Sequence, residues 1–367
     1  MFVKSYEWRF LVAICGVFLV GCDKAQEFAK QAQQQAESLA DKAKSPLPET
    51  PVAPPTSVTA TPGENPASVN NPAKGLTLPQ PLAPTAEEIV KSVLNADPAA
   101  RGDALLAKLD DVKVETDLAP LAALQFSGNV LTEKGIAHLA RCPQLQSLTF
   151  RNITITPEMA EAIAKLPFLE ELDLEESQTT DDAVLALKEA VHLRKLSLSK
   201  TPISDRALNV LSSFDNLEEL YLAHTKIDGH GMPKNDRLTK LRILDVSMTR
   251  FGDRGFPAIK GLKTLEILRA SNANVTDQSL QASAGWPALK ELELFRDNVG
   301  DAGIAALRGS KELVLLDLCE SKISDRAFST IKDFKKLQVL KLVMVNVSNE
   351  ACQVLKAKFL PNTEIRR

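Results

Sequence analysis

Aromatic side chains are scarce in this 367-residue chain: they make up 5% of it, with two Trp and two Tyr. That shortage argues against a core built on large rings and leaves leucine to carry most of the apolar weight. Such a balance points to repeated aliphatic layers. A basic surplus is missing too, since 44 Lys and Arg stand against 47 Asp and Glu, a net charge of -3. Nucleic acid is therefore not expected as a partner, because a phosphate backbone needs clustered cations to replace its counterions. No apolar run reaches the roughly 20 residues that a membrane-spanning helix requires. The spacings H-E-x-x-H, C-x-x-C, G-x-S-x-G and the phosphate-binding loop are all absent. The four histidines, His138, His192, His224 and His230, share no common register. These absences predict a non-enzyme with no metal and no cofactor.

Proline is unevenly spread: 11 of the 21 lie between Pro46 and Pro84. The chain divides into an N-terminal tether and a C-terminal folded unit. Met1 to Arg9 carries Lys4 and Arg9, and Phe10 to Val20 is apolar. A charged start, a short apolar run and a small residue before a cut site make an export signal over residues 1–22. Leu19-Val20-Gly21-Cys22 resembles the lipobox of bacterial lipoproteins, which implies cleavage and acylation at Cys22. The acyl chains would anchor the protein to a membrane, each buried CH₂ contributing about 0.8 kcal/mol. Asp23 resembles the inner-membrane retention signal of enterobacteria, a rule that does not hold in all bacteria; inner and outer membrane both stay open.

Residues 23–44 read as a helical stalk, rich in Ala, Gln, Glu and Lys and free of Gly and Pro. Ala25, Ala29, Ala32, Ala36, Leu39 and Ala43 follow a coiled-coil spacing, which allows weak self-association through residues 24–44. Mostly alanine heptads bury little area, so a lone stalk is the plainer expectation. Residues 45–84 have no hydrophobic periodicity and are expected to be a disordered linker. Fully extended at about 3.1 Å per residue, it would reach on the order of 100 Å.

The folded unit is governed by one period. Leucines stand at 121, 145, 169, 193, 217, 241, 265, 289, 313 and 337, every interval being 24. Another leucine follows three residues after each, and an apolar residue two further on, from Phe126 to Leu342. Eleven residues after the leading leucine comes a helix-capping type: Thr132, Thr156, Thr180, Ser204, Asp228, Thr276, Ser324 or Ser348. Asp181, Asp205, Asp253, Asp277, Asp301 and Asp325 come next, where a carboxylate favours the positive end of a helix. Gly135, Ala183, Ala207, Gly255, Gly303 and Ala327 are small so that helix and strand can approach.

The strand signature L-x-x-L-x-L resembles that of leucine-rich repeats, and units such as Leu193 to Leu208 resemble the cysteine-containing and GALA types. That resemblance implies an α/β solenoid, with parallel strands on the concave face and short helices on the convex face. Where asparagine usually ladders through the turn, this chain has Asn129 once and otherwise mainly Ser177, Thr201, Thr225, Thr249 and Ser321. Ten turns and a C-terminal cap fill 121–367. Residues 85–120 supply an N-terminal cap, because an open turn would expose core. Residues 360–365 are expected to add a strand stub. Gly229 to Asn235 departs from the pattern, with Asn235 where an inward aliphatic belongs, so a loop replaces a helix there.

Cys142 and Cys352 fall on inward positions eight to nine turns apart. At about 4.8 Å per strand they cannot bridge, and they read as small core residues. Cys319 is expected on the exposed side as a free thiol. Strands alternate faces, so offsets 2, 4 and 6 after each leading leucine point outward. Asp173, Asp245, Glu293 and Asp317 stand in that column, where facing water explains their polarity. Turns five to eight add Tyr221, Asp245, Arg269, Glu293 and Phe295, with His224 and Arg296 at the strand ends. Tyr, Phe and Arg together are enriched where proteins meet. These seven residues are the expected contact surface for a protein partner, on a membrane-tethered interaction module of the cell envelope. A carbohydrate or peptidoglycan binder is the alternative, since planar aromatics flanked by acids would serve that role as well.

Overall fold

The structure, a computed structural model, describes residues 83–128, 131–233, 237–283 and 285–367. The export signal, Cys22, the stalk, the linker up to residue 82, Asn129 and Asn235 lie outside the described residues. Among the described residues, no helix is long and apolar enough to cross a membrane.

Helix α1 (Ala86–Asn95) starts at a reciprocal cap: the Thr85 hydroxyl accepts from the Glu88 amide, and Glu88 accepts from the Thr85 amide. It buries Ile89, Val90 and Val93. A second short helix, α2 (Asp103–Leu106), and three 3₁₀ turns follow before the first strand. Arg101, 8% exposed, fastens this cap to the repeats. Its guanidinium donates to the carbonyls of Val93 (2.9 Å) and Leu94 (2.7 Å) at the end of α1, and to that of Gln125 (2.6 Å) in the first strand. One planar group thus satisfies both the unpaired carbonyls of a helix end and an edge of the sheet.

Eleven strands form one parallel sheet in chain order: β1 (Ala123–Ser127), β2 (Ser147–Arg151), β3 (Glu171–Asp173), β4 (Lys195–Ser197), β5 (Glu219–Tyr221), β6 (Ile243–Asp245), β7 (Ile267–Arg269), β8 (Glu291–Glu293), β9 (Leu315–Asp317), β10 (Val339–Lys341) and β11 (Glu364–Arg366). Each residue pairs with the one 24 places on, until the last pair opens by one, Val339 to Glu364. The expected strand stub is β11. The central leucine of each strand from β1 to β10 is buried, and its two neighbours face outward.

Just past each strand the chain enters the left-handed region. Gly128 and then Asn152, Glu176, Lys200, His224, Met248, Asn272, Arg296, Glu320 and Met344 all have φ between 51° and 73°. That conformation costs a non-glycine residue about 1 kcal/mol or more. Hydrogen bonding offsets it: the amides of Glu176, Lys200, His224 and Met248 donate to Ser199, Ala223, Ser247 and Ser271 in the next turn at 2.8–3.1 Å. The hydroxyl column follows directly. Ser177, Thr201, Thr225 and Thr249 donate to the carbonyl three residues back, just past the strand end, at 2.5–2.7 Å. Those bonds close each turn on itself, so this column does not bridge turns as an asparagine ladder does.

Bridging falls to the aspartates on the other side. The Asp181 carboxylate accepts from the amide (2.7 Å) and hydroxyl (2.5 Å) of Ser204, one turn on. Asp301 does the same for Ser324, Asp325 for Ser348, and Asp103 of the N-terminal cap for Thr132. Asp253 and Asp277 reach Thr276 and the Gly300 amide. The acidic position therefore does more than favour its own helix end: it holds the next helix start in place. It also refines the role of the small column. A Cβ on Gly303 would come within 2.5 Å of Asp277 Oδ1, and one on Gly135 within 2.3 Å of Asp103 Oδ1. At these two positions the crowding comes from the preceding turn's carboxylate, whereas at Gly255 it comes from the Phe251 ring.

A third column runs along the edge where the strands begin. Glu170, Arg194, Glu218, Arg242, Glu266 and Lys290 alternate in sign, and neighbours pair at 2.6–3.8 Å. Each pair is exposed and contributes little alone, but the alternation penalises any slip of one whole turn. The core itself is leucine, with small aromatic stations: Phe126 stacks on Phe150 at 5.4 Å, and Trp286 meets Phe256 edge-on at 5.9 Å.

Candidate binding surface

The outward residues of the strands form a continuous row fixed by the register: Gln125, Thr149, Asp173, Ser197, Tyr221, Asp245, Arg269, Glu293, Asp317, Lys341 and Arg366. Tyr221, Asp245, Arg269 and Glu293 are thus side by side on adjacent strands. Phe295 lies two residues beyond Glu293, outside the strand, and is half-buried. His224 and Arg296 stand in the left-handed turn column, exposed, so they rim the face. Arg296 packs its guanidinium 5.2 Å from the Phe295 ring and pairs with Glu320 at 2.9 Å. That turn column could not be read from residue types, since it accepts Glu, Lys, His, Met and Arg alike.

The two halves of the face differ in how their acids are paired. In turns two to four, Arg151 grips both oxygens of Asp173 and lies 3.6 Å from Glu175. Burial would raise the Asp173 carboxyl, but this guanidinium outweighs it and holds it below the ordinary carboxylate range. Lys200 closes the group, at 3.1 Å from Glu175 and 2.6 Å from Glu176. Asp173, Glu175 and Glu176 thus each have a cation in reach, whereas Glu171 accepts from the Ser147 hydroxyl at 3.3 Å.

From the fifth turn on the balance shifts. Five carboxylates, Glu219, Asp245, Glu291, Glu293 and Asp317, share β5 to β10 with two cations, Arg269 and Lys341, and Lys195 of β4 adds a third, 3.7 Å from Glu219 and 5.8 Å from the Tyr221 ring. Lys341 is committed to Asp317 at 2.9 Å. Arg269 stands 3.7 Å from both Glu291 and Glu293. Asp245 accepts the Ser247 amide at 2.9 Å, and no ion pair to it is found among the described residues. Burial raises the Glu293 carboxyl, and the charges of Asp317 and Asp245 raise it further against the pull of Arg269 and Lys341. The Tyr221 hydroxyl donates to Glu219 at 2.9 Å, and burial with that bond pushes its pKa up to about 12.

Two expectations need correction here. Cys319 does point to the outward side, but it is 7% exposed. Its sulfur accepts from the Val343 amide at 3.3 Å, and burial beside Asp317 pushes the thiol up to about 12. It is a packed, protonated thiol, not an exposed one. Asp317, too, is buried at 8% exposure, so water alone does not explain that acid; its neighbours Lys341 and the Cys319 amide do. Cys142 and Cys352 are buried as expected.

Two further clusters escaped the sequence. At the irregular turn, ligand atoms of Asp205, Asp228 and His230 lie within 4.8 Å of one another. Asp205 reaches for the next helix start like the other aspartates, but finds Asp228 in place of a hydroxyl. It accepts the Asp228 and Gly229 amides at 3.0 and 2.8 Å instead. His230 (2.6 Å) and Arg254 (2.7 Å) hold Asp228, whose carboxyl is pulled well below its ordinary range by Asp205 and His230. No helix forms in this turn among the described residues. Along the charged edge, Phe168, His192, Arg194, Asn216 and Lys240 line a groove of about 580 Å³. Within it Asn216 donates to the Val191 carbonyl and accepts from Lys240, and Arg194 pairs with Glu218 and Glu170.

No family model matches the chain, and no curated protein is similar to it. Solved structures are. The structure of a TLR13–ssRNA13 complex is 23% identical over 66% of this chain and 38% of that one, with a TM-score of 0.50. This chain thus spans well under two thirds of that neighbour. An internalin from Listeria monocytogenes is 17% identical over 76% of this chain and 96% of its own, with a TM-score of 0.39. The ectodomain of the Arabidopsis receptor kinase HAESA, solved with a peptide hormone, is 17% identical over 57% and 36%, with a TM-score of 0.44. The single parallel sheet, the 24-residue register and the TLR13 likeness together give the fold: a leucine-rich-repeat solenoid.

Proposed function

We propose that this chain is a membrane-tethered protein-interaction module of the bacterial cell envelope, and that it is not an enzyme. The observation that carries the reading is the outward face of β5 to β10. It holds Tyr221, Arg269 and Phe295 within four adjacent turns, half-exposed, on a rigid sheet. Aromatic rings and an arginine so placed lose little conformational freedom when a partner covers them. A nucleic acid is disfavoured on the same face, because its phosphates would meet five carboxylates and two cations. The tether rests on Leu19-Val20-Gly21-Cys22 and on the proline-rich stretch that follows, which would hold this face clear of the membrane. Replacing Tyr221, Arg269 and Phe295 together by alanine is expected to abolish partner capture from envelope extract while leaving the melting temperature within a few degrees. Undiminished capture by that variant would defeat the proposal.

A further inference from the structure

The outward face of β5 to β10 is an unpartnered sheet face with a definite charge pattern, and that pattern narrows what can cover it. Asp245 and Glu293 are two strands apart, about 9.6 Å at the usual strand spacing. Between them lies Arg269, which meets Glu293 and Glu291 only at 3.7 Å. The outward neighbours Ile243 and Ile267 are half-exposed and form an apolar floor beside the acids. Tyr221 stands at one end of this stretch, its ring next to Asp245 in the register. In turns two to four Arg151 and Lys200 reach Asp173, Glu175 and Glu176, whereas no ion pair to Asp245 is found among the described residues.

A polyproline-type segment has three residues per turn and rises about 3.1 Å per residue. Residues three apart therefore fall on one side, about 9.3 Å from each other, which matches the Asp245–Glu293 separation. The aliphatic stems of Lys or Arg would lie on Ile243 and Ile267 while their heads reach the carboxylates. Proline rings suit an aromatic face such as Tyr221, which Lys195 of β4 already approaches at 5.8 Å. We propose that the partner's contact segment is an extended, proline-rich peptide with basic residues three apart, seated across β5 to β8. This rests on the outward face being the contact surface and names the chemistry it selects.

The test uses the full-length chain in detergent and a fluorescent twelve-residue peptide that repeats Lys-Pro-Pro four times. Fluorescence anisotropy should show binding that weakens as salt rises from about 0.05 to 0.3 M. Asp245→Asn with Glu293→Gln should weaken it by about tenfold or more. Glu161→Gln with Glu189→Gln, exposed acids away from this face, should leave it unchanged. Equal binding of a Glu-Pro-Pro peptide, equal loss in both double variants, or preferential binding of single-stranded RNA or a cell-wall sugar oligomer would each overturn the inference. If the Lys-Pro-Pro peptide fails but the Tyr221, Arg269 and Phe295 triple variant still loses its partner, the inference falls and the contact surface stands. If neither shows an effect, both fall.

Discussion

Truncating Trp286 to alanine is expected to lower the unfolding free energy by about 3–5 kcal/mol. The indole is fully buried in the loop ahead of β8, edge-on to Phe256, and its Nε1 donates to the Ile259 carbonyl at 3.0 Å. Alanine would leave a cavity between two turns and take the shorter of two donors from that carbonyl, which would keep only the Leu262 amide at 3.4 Å, so packing and hydrogen bonding are weakened together. Because each turn touches only its neighbours, the damage should stay local. Hydrogen exchange of β6 to β8 should rise first, with β1 to β3 protected as before. Denaturant unfolding measures the total, and a loss under about 1 kcal/mol would mean that the turns collapse around the gap.

The second large effect concerns a single carboxyl. In the eighth turn Asp297 takes the position held elsewhere by a hydroxyl, at 4% exposure. Its Oδ1 accepts the Ala273 and Val275 amides at 3.1 and 2.9 Å, and its Oδ2 is buried with no partner among the described residues. The seventh turn has Ala273 in the hydroxyl column, so it cannot close on itself, and Asp297 reaches back to hold it. Burial raises this carboxyl to about 7, against the pull of the amides. The folded chain therefore keeps the proton that an unfolded Asp releases near pH 4. Stability from this group is whole below about pH 4 and is lost as pH rises through 7, by about 4 kcal/mol at most. Asp297→Asn keeps the acceptor and removes the charge. Its unfolding free energy relative to the natural chain should improve between about pH 5 and 7 and level off above; parallel curves would refute the assignment.

The repeat was legible because its signal is strong: a leucine every 24 residues fixes strand, register and sheet order at once. The capping residues were legible for a similar reason, as a Thr or Ser before an acid has few other uses. The bridges between turns were not. Asp181 and Ser204 are 23 residues apart, and nothing in the local pattern says that one grips the other. No motif marks Arg101, which is buried because carbonyls from the end of α1 and from β1 converge on it. Asp297 was missed because a lone acid in a hydroxyl column reads as surface variation. The outward face was legible as a column of residue types, whereas its electrostatics depended on which cations were already taken. Arg151 and Lys200 engage Asp173, Glu175 and Glu176 in one half, and only the geometry assigns them. Cys319 shows the limit of alternation: pointing outward did not mean exposed, because Phe295 and Val343 occupy the same offset in the adjoining turns.

The account stands or falls on which face of the solenoid meets a partner. A photo-crosslinking amino acid placed at Tyr221, and separately at Glu161 on the helix side, answers that in intact cells. The account predicts a discrete adduct from position 221 and none from position 161. An adduct from position 161 with none from 221 would contradict it.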